Sequence, residues 1–312
     1  MNAMQQQAPP GAVTDIRWPN LIRDAREVMD GTDEERIAFL KKPRWIGYPA
    51  ARQALGDLQA LLDHPRVNRP PCRLILGATN NGKTDILRKF EKDHPRVERA
   101  DGEGLHIPVV YVICPSGPDE KGFYENILRA LGVPFSVTGS TRQRFTQVLR
   151  VATEVGLRML MLDEIHNVLA GSSAKHRGFL NTLKLLSGEL QIPIVTAGTK
   201  AAFHAMGTEQ EVSNRFEPIP LPPWQMGDEF LSLLASFERV IPLRLPSNLA
   251  NLPLATKILA KSEGHIGEIA RLLAAAAKLA ITSNLELINA QVLDAAEYRS
   301  PSERRELPDG LD

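Results

Sequence analysis

Between Cys72 and Leu221 the apolar residues change their spacing repeatedly. Four short runs, CRLILG, IPVVYVIC, LRMLMLDE and IPIVTAGT, are each followed by a stretch whose apolar residues recur every three or four positions. Runs of that length read as buried strands, and strands alternating with helices predict a parallel sheet covered on both faces. From Trp18 to about Leu62 the spacing is helical throughout, with DEERIAFLKK and AARQALGDLQALLDHP as two amphipathic stretches separated by PRWIGYP. The segment HPRVNRPP then breaks the pattern, and PIPLPPW (218–224) punctuates the chain a second time. From Gln225 to about Arg299 only helical periodicity remains, including the alanine-rich GEIARLLAAAAKLAI. The ends, rich in Gln and Pro or in charge, lack the apolar content for a core. The expected organisation is therefore an arm (1–15), an N-terminal helical extension (16–70), a strand-and-helix core (71–222), an all-helical unit (223–299) and a polar tail (300–312).

The loop after the first apolar run carries the most specific chemistry. Gly77, Ala78, Thr79, Asn80, Asn81, Gly82, Lys83 and Thr84 fit G-x-x-x-x-G-K-[ST] in full, with a strand before and a helix after; Asp85 follows in the first helical turn. The glycines let the backbone curl so that successive amides face one point at a helix N-terminus, a ready-made phosphate cradle. Lys83 would reach the terminal phosphates and the Thr84 hydroxyl would bind Mg2+. A chance glycine turn would give this pattern in roughly 1% of chains this long, before context is demanded.

A nucleotide site needs a second element, and RMLMLDEIHNVL supplies it: a strand ending in Asp163 and Glu164 on the sheet edge that the loop shares. Asp163 suits the ion's water shell, and Glu164 can orient and deprotonate an attacking water. Alone, such a pair is more often a helix cap; beside the loop the balance reverses.

Composition narrows the partners. The chain has 312 residues, 43% hydrophobic and 24% charged, with 37 basic residues against 37 acidic ones. A chain with no net charge is not a general polycation, so any nucleic-acid contact must come from a local patch or from stacking many copies. Two cysteines, Cys72 and Cys114, make neither a disulfide framework nor a zinc site, which fits a reducing cytoplasm. No apolar run approaches a bilayer span.

The phosphate loop, the Asp-Glu strand about 80 residues later, a polar strand end, an Arg-Phe pair and a helical C-terminal unit together resemble the AAA+ ATPases. Within them WIGYP, GATNNGKT and NRFEPIPLPPW look like the transposition ATPases called TniB, relatives of TnsC. The resemblance implies an α/β fold, an AAA+ P-loop parallel sheet flanked by helices, with a small C-terminal all-helical lid and an N-terminal helical extension. It also implies an ATPase, with ATP and Mg2+, that assembles into rings or helical filaments on double-stranded DNA. Its partners would be a DDE transposase of the TniA or TnsB kind and a target selector of the TniQ kind.

Carried over residue by residue, Thr199 is the implied sensor of the terminal phosphate, with Thr196 in reserve, though Thr199 is equally placed to cap the next helix. Arg215 matches the arginine inserted into a neighbour's nucleotide site. Ile46 and Tyr48 are candidates for packing on adenine. Lys121, Thr138, Thr141 and Arg142 are candidates for gripping DNA phosphates. Arg66, Arg69 and Arg73 read better as linker residues. One departure stands out: where AAA+ lids often carry an arginine over the phosphates, EGHIGEIARLL has Gly267, with Arg271 a turn further on, so turnover is expected to be slow. Two alternatives stay open: an initiator, helicase loader or branch-migration ATPase, and a scaffold locked by nucleotide that is barely hydrolysed.

Overall fold

The structure is a computed structural model that describes residues 17–102, 104–169 and 173–306. The expected arm at 1–15, and residues 307–312 of the tail, lie outside the described residues. The four apolar runs form strands: β1 (Cys72–Gly77), then, after a small antiparallel ribbon of β2 (Val97–Glu98) and β3 (Leu105–His106), β4 (Val109–Ile113), β5 (Met159–Asp163) and β6 (Ile194–Gly198). Their side chains are almost all buried, as strands covered on both faces require. A fifth strand, β7 (Phe216–Leu221), completes a sheet of order β4-β5-β6-β1-β7 in which every pairing is parallel.

β7 corrects the sequence reading, which took PIPLPPW for punctuation. Proline lacks an N–H and is confined to sheet edges. Pro218 and Pro220 are two apart, so their missing donors fall on one side of a strand, and β7 pairs only with β1. The side facing away from β1 tolerates the loss.

The chain divides into two compact units. One comprises the described residues of Trp45–Gln225 and Ser262–Ile269 and contains the sheet. Its core is a continuous cluster in which Leu74, Val110, Leu160, Leu162 and Ile194 of the strands meet Phe123, Ile127, Val148, Phe179 and Leu183 of the helices. Local signals set the helix starts. Ser140 and Gln143 form a reciprocal capping box on helix Thr141–Glu154, and Asp119 caps helix Glu120–Ala130 through the Gly122 N–H.

The second unit comprises the described residues of Met1–Arg44, Met226–Lys261 and Ala270–Asp312, and among these only helices and turns occur. A buried ion pair sits inside it. The fully buried Arg36 guanidinium donates to both Glu286 carboxylate oxygens at 2.8 and 2.5 Å and, through Nη2, to the Pro242 carbonyl at 2.7 Å. Burial alone would raise the Glu286 carboxyl, but the Arg36 hydrogen bond, the Arg244 N–H and the two cationic charges outweigh it and hold the group below its ordinary value. Its contribution to stability is thus present above the unfolded carboxyl's pKa and is lost as pH falls through the lower folded value. Arg36→Ala, which strands a buried carboxylate, is expected to cost about 3–5 kcal/mol, measured by urea unfolding at pH 7. At a pH below the folded value of Glu286 the difference between the two proteins should shrink.

No helix among the described residues is long and apolar enough to cross a membrane.

Candidate functional site

Adjacent strands β1 and β6 send their connections opposite ways, β1 towards β4 at one edge and β6 towards β7 at the other. Such a switch point opens a crevice outside the strands' carboxyl ends. The loop 77–82 sits there, leading into helix Lys83–Asp93. Two of its residues occupy the left-handed region, Asn80 with φ 60° and Gly82 with φ 79°. At Gly82 the positive φ favours glycine, and a Cβ there would also press on Ile266 Cγ2 at 3.3 Å. Asn81, buried, donates to the Leu221 carbonyl at 2.7 Å and ties the loop to the end of β7.

Lys83 is 8% exposed and donates to the loop's own Gly77 and Ala78 carbonyls at 3.0 and 2.7 Å. Burial lowers its pKa, and the charges of Glu164 and Asp163 work in the opposite sense. The amine is thus held over the concave side of the loop by groups that a phosphate oxygen can replace. Asp85 follows in the first turn, where desolvation and then the Asp163 charge raise its carboxyl.

Asp163 is the hub. Its Oδ2 accepts from the Thr84 hydroxyl at 2.7 Å and from the Tyr111 hydroxyl at 2.8 Å, and Oδ1 accepts the Glu164 N–H at 2.8 Å. Thr84 and Asp163, 79 residues apart in sequence, therefore meet. Tyr111 was missed in the sequence, where VVYVI reads only as a buried strand. Its one signal is that a tyrosine among aliphatic residues needs a partner for its hydroxyl. Burial first, then the hydrogen bond to Asp163 and that group's charge, push the phenol well up, so it stays a neutral donor. Arg88 lies over its ring at 3.6 Å.

Glu164 adopts a left-handed backbone (φ 55°, ψ 40°). Its Oε2 lies 3.1 Å from His166 Nδ1, although that nitrogen lacks hydrogen-bond alignment with any partner. Cys114, just after β4, is buried, and burial and the charges of Asp163 and Glu164 push its thiol up, which disfavours the thiolate.

Gly198 pairs with Leu76, which sets Thr199 beside the first residue of the loop. Thr199 occupies the N-cap position of helix Lys200–Gly207 without making a side-chain cap hydrogen bond. Thr196 lies within β6, fully buried, with its hydroxyl directed at the Arg73 carbonyl. Tyr48 is buried and stacks edge-on against Trp224 at 5.1 Å, with its hydroxyl 3.4 Å from where a Cβ at Gly82 would stand; Ile46 is half-buried nearby in sequence. Burial and the Asp85 charge push the Tyr48 phenol up to about 12.

Arg215 is not brought to this site. Its carbonyl accepts from the Cys72 N–H at the start of β1, so it lies at the opposite edge of the sheet, about 17 Å from Gly77 by strand rise. Its Nη1 is buried without a hydrogen-bond partner.

A separate surface collects the four other cationic and hydroxyl candidates. Lys121 Nζ donates to the Val137 carbonyl at 3.4 Å, joining the start of helix Glu120–Ala130 to the loop before helix Thr141–Glu154. Thr138 and Arg142 are exposed there and Thr141 is half-buried. Buried Arg144 stiffens that loop from beneath through Glu125 and the Ser136 carbonyl. Two of the three linker arginines are occupied structurally: Arg66 donates to the Leu190 and Leu157 carbonyls, and Arg73 pairs with Glu217.

The sequence profile described as "Bacterial TniB protein" matches residues 36–226. The chain belongs to the TniB family. Compared with curated proteins, it has no significant match. Among solved structures it resembles ORC2 of Aeropyrum pernix (ADPNP–ADP complexes) at 16% identity, over 83% of this chain and 69% of that one, with a TM-score of 0.57. It also resembles Cdc6p from Pyrobaculum aerophilum at 18% identity, over 80% and 67%, with a TM-score of 0.56. A third is A. pernix ORC1 in complex with DNA, at 17% identity over 83% and 67%, with a TM-score of 0.53. The TniB-family chain thus has the AAA+ fold, as its sequence led us to expect.

Proposed function

We propose that this TniB-family protein binds ATP with Mg2+ in the loop 77–84, assembles on double-stranded DNA, and recruits or activates a DDE transposase, hydrolysis setting the lifetime of the assembly. The observation that carries the nucleotide reading is the junction of Thr84 with Asp163 beside Glu164, outside the carboxyl ends of a parallel sheet. The residues fit the groups they would hold. A glycine-bearing loop that leads into a helix N-terminus suits phosphate, and a hydroxyl beside a carboxylate forms a hard oxygen set suited to Mg2+ rather than to a softer metal. Bound there, the ion would neutralise charge on the phosphate oxygens.

In this reading Lys83 releases the two loop carbonyls and donates to the terminal phosphates. Glu164 takes the proton of the attacking water, and Thr199 orients the terminal phosphate from the end of β6. Tyr48 and Ile46 pack on the nucleotide's base. Arg215, at the far edge of its own sheet, would serve a neighbour's nucleotide, where a guanidinium can offset charge growing on the transferred phosphoryl group. Lys121, Thr138, Thr141 and Arg142 would hold DNA phosphates without reading sequence, each copy adding a few contacts to a repeating array. The DNA part is supported by A. pernix ORC1, which shares the fold and is solved in complex with DNA. A transposase and a TniQ-type selector as partners rest on family membership.

Electron microscopy of the protein with duplex DNA and a non-hydrolysable ATP analogue is the direct test. Ordered rings or filaments are expected with both ligands together; solitary particles under those conditions would refute the assembly. A milder perturbation probes the metal hub: Tyr111→Phe should lower kcat for ATP roughly 3- to 10-fold while leaving KM nearly unchanged, because one donor to Asp163 is lost while the phosphate cradle is kept. Steady-state kinetics at saturating Mg2+ would check it.

A further inference from the structure

The segment Ser262–Ile269 packs in the same compact unit as the phosphate loop. Asn80, at the tip of the loop, engages it twice. The Asn80 carbonyl accepts the Gly267 N–H at 2.9 Å, and the Asn80 Nδ2 donates to Glu268 Oε1 at 2.7 Å, across 188 residues of sequence. Glu268 is only 2% exposed. A Cβ at Gly267 would stand 2.9 Å from the Asn80 carbonyl oxygen and 3.3 Å from its Cβ, closer than carbon and backbone oxygen approach. The glycine found where the AAA+ resemblance implies an arginine therefore has a local reason: any side chain there would push the loop away.

Asn80 is also the loop's non-glycine residue in the left-handed region, a conformation asparagine tolerates better than most but which needs support from its surroundings. The two hydrogen bonds supply that support at both ends of the residue, its carbonyl and its side chain. On the other flank, Asn81 is held by the Leu221 carbonyl. The curl of the loop is thus gripped from two sides, and only the Asn80 side runs to a helix that begins at Ile266.

We propose that Asn80, Gly267 and Glu268 form a clasp that holds the phosphate loop in its nucleotide-ready curl and so sets the rate of nucleotide release, with Glu268 as a positioning residue. The first turn of helix Ile266–Thr282 then acts on the loop backbone through hydrogen bonds rather than on the phosphates through a guanidinium. This deepens, and rests on, the reading of loop 77–84 as the nucleotide site.

The test uses the full-length protein and compares Glu268→Ala, Glu268→Gln and Gly267→Ala with the wild type. Release of a fluorescent ADP analogue is followed by stopped flow, and amide hydrogen exchange of residues 78–82 is followed without nucleotide. Glu268→Ala is expected to release ADP about tenfold faster and to exchange faster in the loop, since one hydrogen bond to the carboxylate is lost. Glu268→Gln, whose side-chain carbonyl still accepts from Asn80, should restore release to within about twofold of the wild type. Gly267→Ala should behave like Glu268→Ala, with melting of the apoprotein showing that it folds. Unchanged loop exchange and release in Glu268→Ala would overturn the clasp, as would equal effects of the Ala and Gln variants. If the wild type binds no ADP, the nucleotide reading fails, while loop exchange still decides whether the clasp holds the curl.

Discussion

Lys83→Ala is expected to weaken ATP binding at least about 100-fold and to abolish nucleotide-dependent association with DNA. The amine is the cation that the fold buries inside the loop, and a charge-assisted bond to phosphate in such a place exceeds an ordinary hydrogen bond. A loss of about 100-fold corresponds to about 2.7 kcal/mol, within reach of one or two charged hydrogen bonds. Stability should change little. Desolvation of the ammonium opposes folding and its removal relieves that cost, while the Gly77 and Ala78 carbonyls lose their donor, so the two effects offset. Calorimetric titration with ATP, paired with a melting curve of the apoprotein, separates the two effects. ATP affinity close to the wild-type value in Lys83→Ala would refute the loop as the phosphate site.

Glu164→Gln is expected to have the second large effect, of a different kind. The amide keeps the size of the side chain but cannot accept a proton, so hydrolysis should fall by about 10²- to 10⁴-fold while ATP affinity stays within a few-fold. If hydrolysis sets the lifetime of assemblies, Glu164→Gln complexes should persist on DNA for as long as nucleotide is present. Arg215 supplies an independent check, because it lies at the edge of the sheet opposite its own loop. Arg215→Ala should bind nucleotide normally and lose assembly-linked hydrolysis. Mixing it with Glu164→Gln should recover part of the activity, since only a shared interface can join an intact base to an intact arginine. Normal hydrolysis by Glu164→Gln alone would remove Glu164 from its proposed role and favour a scaffold in which nucleotide is structural.

Most of the sheet was readable along the chain because a buried parallel strand is apolar at every position, a signal needing no knowledge of its neighbours. β7 escaped because its prolines read as breaks. Whether a proline breaks a strand depends on which side of that strand is paired, and Pro218 and Pro220 lie on the edge strand. Tyr111 escaped for a related reason: within VVYVI it is one more apolar residue until β4 is laid beside β5 and Asp163 comes within 2.8 Å of its hydroxyl. Thr199 was legible as a polar strand end that also opens a helix, and the structure places it at that N-cap position without a side-chain cap.

By itself the sequence determined a G-x-x-x-x-G-K-T loop between a strand and a helix, the acidic strand end and which stretches form most of the sheet. Each is written in consecutive residues whose spacing directly reflects backbone geometry. Tertiary structure alone decided which distant groups share an oxygen at Asp163, which edge of the sheet holds Arg215, and why position 267 must be glycine. Those outcomes depend on separations of a few ångströms between segments tens to hundreds of residues apart. No local pattern encodes such distances, because they are set by how the whole core packs.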